Sequence, residues 1–158
     1  MKAIKKIKVG RKSVSVYFEN FSYYQPNDHV CGDCGIRAVS GALGISWHTA
    51  LDKLVEKAHL LTEAPGSTDT IGAVLEDNGF KWVAIDVKNG GKRPTVHEFM
   101  KDRSGTYVLR VSNHVVCGID GQYKDIWDCG YKCLYGYWMK NRTENGKNLC
   151  ANDRRKRW

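Results

Sequence analysis

The dipeptide Asp120-Gly121 stands between two runs rich in β-branched and aromatic residues, TYVLRVSNHVVCGID (106–120) and YKDIWD (123–128), and it constrains the fold more than any other stretch of the chain. Asp-Gly favours the positive φ values of a two-residue hairpin turn, whose twist matches that of the flanking strands. With Asp120 and Gly121 at the central positions, Ile119 pairs with Gln122, and counting back sets Val116 opposite Asp125 and His114 opposite Trp127. Side chains alternate along a strand, so His114, Val116, Asp125 and Trp127 share one face, with Asp125 diagonal to His114 at roughly 7 Å between backbones. The same register sends Asp128 to the opposite face. The pattern therefore selects Asp125, not Asp128, as a carboxylate partner for His114.

Upstream the periodicity is helical. From Gly35 the spacing of Ile36, Val39 and Leu43 predicts a helix that Gly44 stops. A second helix follows Ser46 as its cap and carries Leu51, Leu54, Val55, Ala58 and Leu61 at three-to-four residue intervals. A third spans about Thr70 to Asp77 and ends at Asn78-Gly79; Thr95 and Glu98 have capping-box spacing for a fourth that runs to about Asp102. SVSVYF (13–18), FKWVAIDV (80–87) and LYGYWM (134–139) read as strands. Helices first and an antiparallel sheet afterwards describe an α+β fold, with a helical lobe of roughly residues 34–78 packed on the sheet of residues 106–139 and a cleft between them.

At 158 residues the chain fits a single domain, with basic extensions at residues 1–12 and 140–158. The net charge of +8 resides at the ends: residues 1–18 hold six Lys/Arg and no acid, and residues 139–158 hold seven against Glu144 and Asp153. The body between them carries 12 basic and 15 acidic side chains. No helix-turn-helix, zinc-finger or RNA-binding aromatic signature accompanies the basic ends, which disfavours nucleic-acid binding as the main function. The amino end lacks the apolar run of a signal peptide, and no stretch approaches the roughly 20 apolar residues of a membrane span, so the expected location is cytoplasmic and the expected state of the six cysteines is reduced.

The chemistry gathers around HVCGDCGIRAVSGALG (29–44). Cys34 leads the first predicted helix, where unpaired backbone N–H groups and a partial positive charge favour thiolate over thiol and can hold an oxyanion. Cys31 lies a turn earlier and receives less of that field. A histidine able to take the thiol proton, oriented by a carboxylate and brought beside Cys34, completes a Cys34–His114–Asp125 arrangement for acyl transfer, with Trp127 covering the His–Asp pair from water.

In this order and spacing the chain resembles the papain-like cysteine peptidases, especially their small bacterial and phage-type members. DCGIRA places Cys34 at the start of the central helix, NHVV places His114 on a later strand, and DIW sets Asp125 two residues before Trp127; the likeness spans about residues 25–138. GDCGIRAVS also looks like the nucleophile segment of ovarian-tumour-type deubiquitinases. The resemblance implies a thiol protease or isopeptidase acting on a peptide or protein substrate without a cofactor. It also implies an oxyanion-binding Gln six residues before the nucleophile, a place taken here by Asp28, whose carboxylate would repel an oxyanion. Asn27, and after it Gln25, are the nearby amides suited to that role, alongside the backbone N–H of Cys34.

Other readings compete. The same triad serves a transglutaminase-like acyltransferase. Cys31, Cys34, Cys129 and Cys133 are enough thiolates for a structural zinc, which would consume Cys34 and point to a non-catalytic basic module that contacts nucleic acid or an acidic partner. Cys117 falls on the face opposite His114 as a core residue, and Cys150 lies in the basic tail. His48, His59 and His97 lack ligand spacing, whereas His29 is near enough in sequence to modulate Cys34. Trp82, Tyr107, Tyr135, Tyr137 and Trp138 read as core or groove wall.

Overall fold

The computed structural model describes residues 32–87 and 91–140 fully, together with the backbone of strands at 5–9, 12–16, 18–20, 143–144 and 147–148. The predicted helices form. Helix α1 (Cys34–Leu43) ends at Gly44, whose φ of 65° is left-handed and whose N–H reaches Ser40 O. Helix α2 (Trp47–Leu61) is capped by Ser46 Oγ, which accepts from Thr49 N at 3.1 Å. Helix α3 (Thr68–Asp77) starts two residues before its expected position because Ser67 Oγ caps it through Thr70 N. Helix α4 (Val96–Met100) has both halves of the Thr95/Glu98 capping box but is shorter than expected.

The apolar stripe of α2 needs correction. Its buried residues are Ala50, Leu54 and Ala58, whereas Val55 and Leu61 are 48% and 43% exposed. A stripe counted by three-to-four spacing spans more of the helix than the narrow face α2 presents to α1 and α3.

The sheet has six strands, β3 (Phe18–Asn20), β7 (Gln122–Asp125), β6 (His114–Ile119), β5 (Thr106–Val111), β8 (Gly136–Lys140) and β4 (Phe80–Ala84), in that order across it. Only β3, against β7, is parallel; all the other pairings are antiparallel. SVSVYF does not form one strand: residues 13–16 belong to β2 (Lys12–Val16), which pairs with β1 (Lys5–Val9) in a separate hairpin, and Phe18 begins β3. A two-stranded pair, β9 (Thr143–Glu144) with β10 (Lys147–Asn148), follows the sheet.

The hairpin register at Asp120-Gly121 is the one the sequence predicts. Ile119 pairs with Gln122 and Gly118 with Tyr123, and both turn residues have positive φ, 46° and 85°. A second turn at Ser112-Asn113, with Asn113 at φ 52°, closes the Val111–His114 pair and divides residues 106–120 into β5 and β6. His114 thus begins its strand at the rim of the sheet.

Alternation along β5 feeds two cores. Val108, with Val115 and Trp138, packs beneath Val39, Leu54 and Leu75 of the three long helices. Tyr107 and Leu109 face the other side, against Phe99 and Met100 of α4, with Val116, Tyr137 and Leu134. Burial of each such large side chain stabilises the fold by roughly 1.5–3 kcal/mol. Among the described residues no helix is long and apolar enough to cross a membrane.

Because Gly121 sits at φ 85° in the turn that sets the β6–β7 register, Gly121→Ala is expected to cost about 1–2 kcal/mol. Urea unfolding should show a lower midpoint at an unchanged denaturant slope.

Candidate active site

Three elements converge at one end of the sheet: the first residue of α1, the first of β6 and the last of β7. Cys34 is half-buried, and its sulfur is hydrogen-bonded by the His114 side chain and by the backbone N–H groups of Val115 and Gly35. The Val115 donor is available because the β6–β7 ladder runs only from Cys117 to Ile119 and leaves Val115 beyond it. The Gly35 donor belongs to the first turn of α1, where N–H groups have no partner within the helix. Burial alone would push the thiol up, but these hydrogen bonds and the His114 charge outweigh it, and the Cys34 pKa is lowered.

His114 Nε2 is hydrogen-bonded to Asp125 Oδ2, which leaves Nδ1 for the thiol proton. Burial works against the imidazolium, but hydrogen bonds to Asp125, Cys129 and Cys34 overcome it and push the His114 pKa up to about 11. Asp125 is buried. Desolvation pushes its pKa up, while the His114 bond and charge, the Ile126 N–H at 2.8 Å and Arg37 pull it below the usual carboxylate range. The Trp127 ring lies 5.1 Å from that of His114 and covers it, although the β7 ladder ends before Trp127. Asp128 lies beyond the end of β7, where strand alternation no longer sets its face, and its carboxylate accepts from Tyr123 Oη at 2.7 Å and Gly130 N at 2.9 Å.

Four contributors were not evident from the sequence. Arg37, one turn beyond Cys34 on α1, donates through Nη2 to Asp125 Oδ1 at 3.0 Å and through Nη1 to Asp33 Oδ1. Asp33 Oδ2 accepts from Trp47 Nε1 at 3.0 Å. Asp33 stands at the N-cap of α1 yet makes no capping bond with its side chain, so the first-turn N–H groups are left to the Cys34 sulfur. Asp33 and Arg37 have i, i+4 spacing that brackets Cys34, a signal available in the sequence. Cys129, fully buried, hydrogen-bonds both His114 and Asp125; no spacing rule points to it.

A cleft of about 460 Å³ opens over Cys34 and His114, walled by Ile71, Val111, Arg110 and Tyr135. Tyr135 and Trp82 are exposed, while Tyr107, Tyr137 and Trp138 are core. The oxyanion candidates Asn27 and Gln25 lie outside the described residues, as do Asp28, His29, Cys31 and Cys150. Among the described residues, the one group of three or more metal-binding donors is His114, Asp125 and Cys129, whose donor atoms lie within 4.8 Å of one another. Of the described thiols of the four-cysteine alternative, Cys34 and Cys129 both meet His114, whereas Cys133 is exposed on a second cavity near Pro94 and Thr95. Cys117 is buried and its thiol is pushed up to about 12 by desolvation.

No protein-family model matches the chain, and no curated protein or solved structure matches it significantly.

Two outcomes are expected. The rate of Cys34 alkylation by iodoacetamide should rise through a midpoint below the ordinary thiol value of about 8.5, and His114→Ala should return that midpoint to it or above. Replacing Arg37 by Met strands the buried carboxylates Asp33 and Asp125 without their cation; the expected loss is about 3–5 kcal/mol of stability, measured by denaturant unfolding.

Proposed function

We propose that the protein is a cysteine-dependent hydrolase of the papain-like kind, acting on peptide or isopeptide bonds. The observation that carries this reading is the Cys34 sulfur held at a helix N-terminus against an imidazole whose other nitrogen is bonded to a buried carboxylate. Lowering of the thiol and raising of the imidazole are two views of one proton transfer, which favours a thiolate–imidazolium pair at neutral pH.

The reaction follows from that pair. The Cys34 thiolate attacks the scissile carbonyl carbon and forms a C–S bond, while the carbonyl π electrons move to oxygen. Backbone N–H groups at the start of α1 stabilise the resulting oxyanion, in the role the sequence also assigns to Asn27 or Gln25. Collapse breaks the C–N bond, and His114 gives its proton to the departing amine. Water then attacks the thioester and passes a proton to the neutral His114, the C–S bond breaks, and the carboxylic acid leaves as the thiolate–imidazolium pair is restored. Asp125 keeps Nε2 engaged throughout, so Nδ1 faces the chemistry, and Arg37 prevents the carboxylate from turning away.

Mass spectrometry with an electrophilic peptide probe tests the reading. One adduct on Cys34 is expected, with none in Cys34→Ala. His114→Ala should slow labelling roughly 10²–10⁴-fold, and Asp125→Asn should slow it by a smaller factor. Adduct formation on other cysteines at the same rate, or labelling of Cys34 indifferent to His114, would overturn the assignment.

A further inference from the structure

Among the described residues, Arg110 and His114 are the ionisable side chains lining the cleft over Cys34 apart from Cys34 and Tyr135, and no described carboxylate lines it. Arg110 lies on β5 directly across from Val115, the residue whose N–H bonds the Cys34 sulfur. Directly opposed residues in an antiparallel pair have Cβ atoms about 4.5–5.5 Å apart, so the Arg110 side chain leaves the sheet one strand away from the backbone that holds the Cys34 sulfur and lines the same cleft. Other cations near the site are engaged: Arg37 with Asp33 and Asp125, Lys132 with Ser112 O and the Trp127 ring, and Arg93 over the Tyr135 ring. Arg110 is exposed and has no ion-pair partner among the described residues.

Beyond Arg110, which also lines it, lies a third cavity bounded by Trp82 and Trp138, where Asp69 and Glu76 occur. An acidic group is therefore welcome on the Cys34 side of Arg110 and opposed on the far side. From this arrangement, and resting on the hydrolase reading above, we infer that Arg110 selects acyl donors carrying a carboxylate side chain next to the scissile carbonyl, and that basic segments are rejected there.

The test uses peptidyl acyloxymethyl ketones in which one Glu is moved through an alanine backbone, each matched by Gln and Arg controls. Labelling rates of Cys34 are read by mass spectrometry at low and high salt. At the position adjacent to the ketone, Glu should label roughly three- to tenfold faster than Gln, with Arg slowest, and salt should compress the difference. Arg110→Glu should reverse the order of the Glu and Arg probes when each rate is taken as a ratio to the Gln probe in the same variant, which separates selectivity from a general change in Cys34 reactivity. Equal rates for Glu and Gln at every position, or a preference unchanged in Arg110→Glu, would overturn the inference while leaving the hydrolase reading intact. Failure of every probe to label Cys34 would overturn both.

Discussion

Asp125 joins the two halves of the molecule. One of its oxygens holds His114 of the neighbouring strand, and the other receives Arg37 from the helix that carries Cys34. A buried carboxylate is tolerated only when its lone pairs are filled and its charge is balanced; here the Ile126 N–H, an imidazole and a guanidinium do both. Because Arg37 and Cys34 lie one turn apart on α1, the contact that neutralises Asp125 also sets where the thiol stands relative to the hairpin. Docking of helix on sheet and assembly of the site are the same event.

That coupling explains the behaviour of Asp33. An Asp at an N-cap ordinarily turns its carboxylate onto the first-turn N–H groups. Here it points to Arg37 and Trp47 instead, which sacrifices a cap but leaves the Gly35 N–H for the Cys34 sulfur. The helix start therefore keeps an N–H donor for the sulfur, and the negative charge that would oppose thiol ionisation is tied to a cation. Cys129 closes the other side of the His–Asp pair with a weakly polar, buried sulfur, so the imidazolium is shielded without a competing strong acceptor.

Legibility in the sequence tracked how local each signal was. Caps at Ser46 and Thr95, the stop at Gly44 and the Asp120-Gly121 turn each depend on a few neighbouring residues, and each recurs in the structure. The break at Ser112-Asn113 was less visible because Asn113 enters the left-handed region without a glycine beside it. On α2, spacing alone overstated the buried face, since which apolar residues are covered depends on where α1 and α3 lie. The Arg37 bridge had half a local signal, its i, i+4 relation to Asp33. Its other half, to Asp125, spans 88 residues.

The sequence by itself determined which residues share a strand face and which begin a helix, because alternation, capping and turn preference act over a few bonds. It thereby separated Asp125 from Asp128 and put Cys34 at a helix start. Tertiary structure alone decided that the helix start meets the hairpin, that Arg37 and Cys129 surround the His–Asp pair, and that Arg110 faces the cleft. Those contacts depend on satisfying buried charge between segments far apart in the chain, a condition no local pattern encodes.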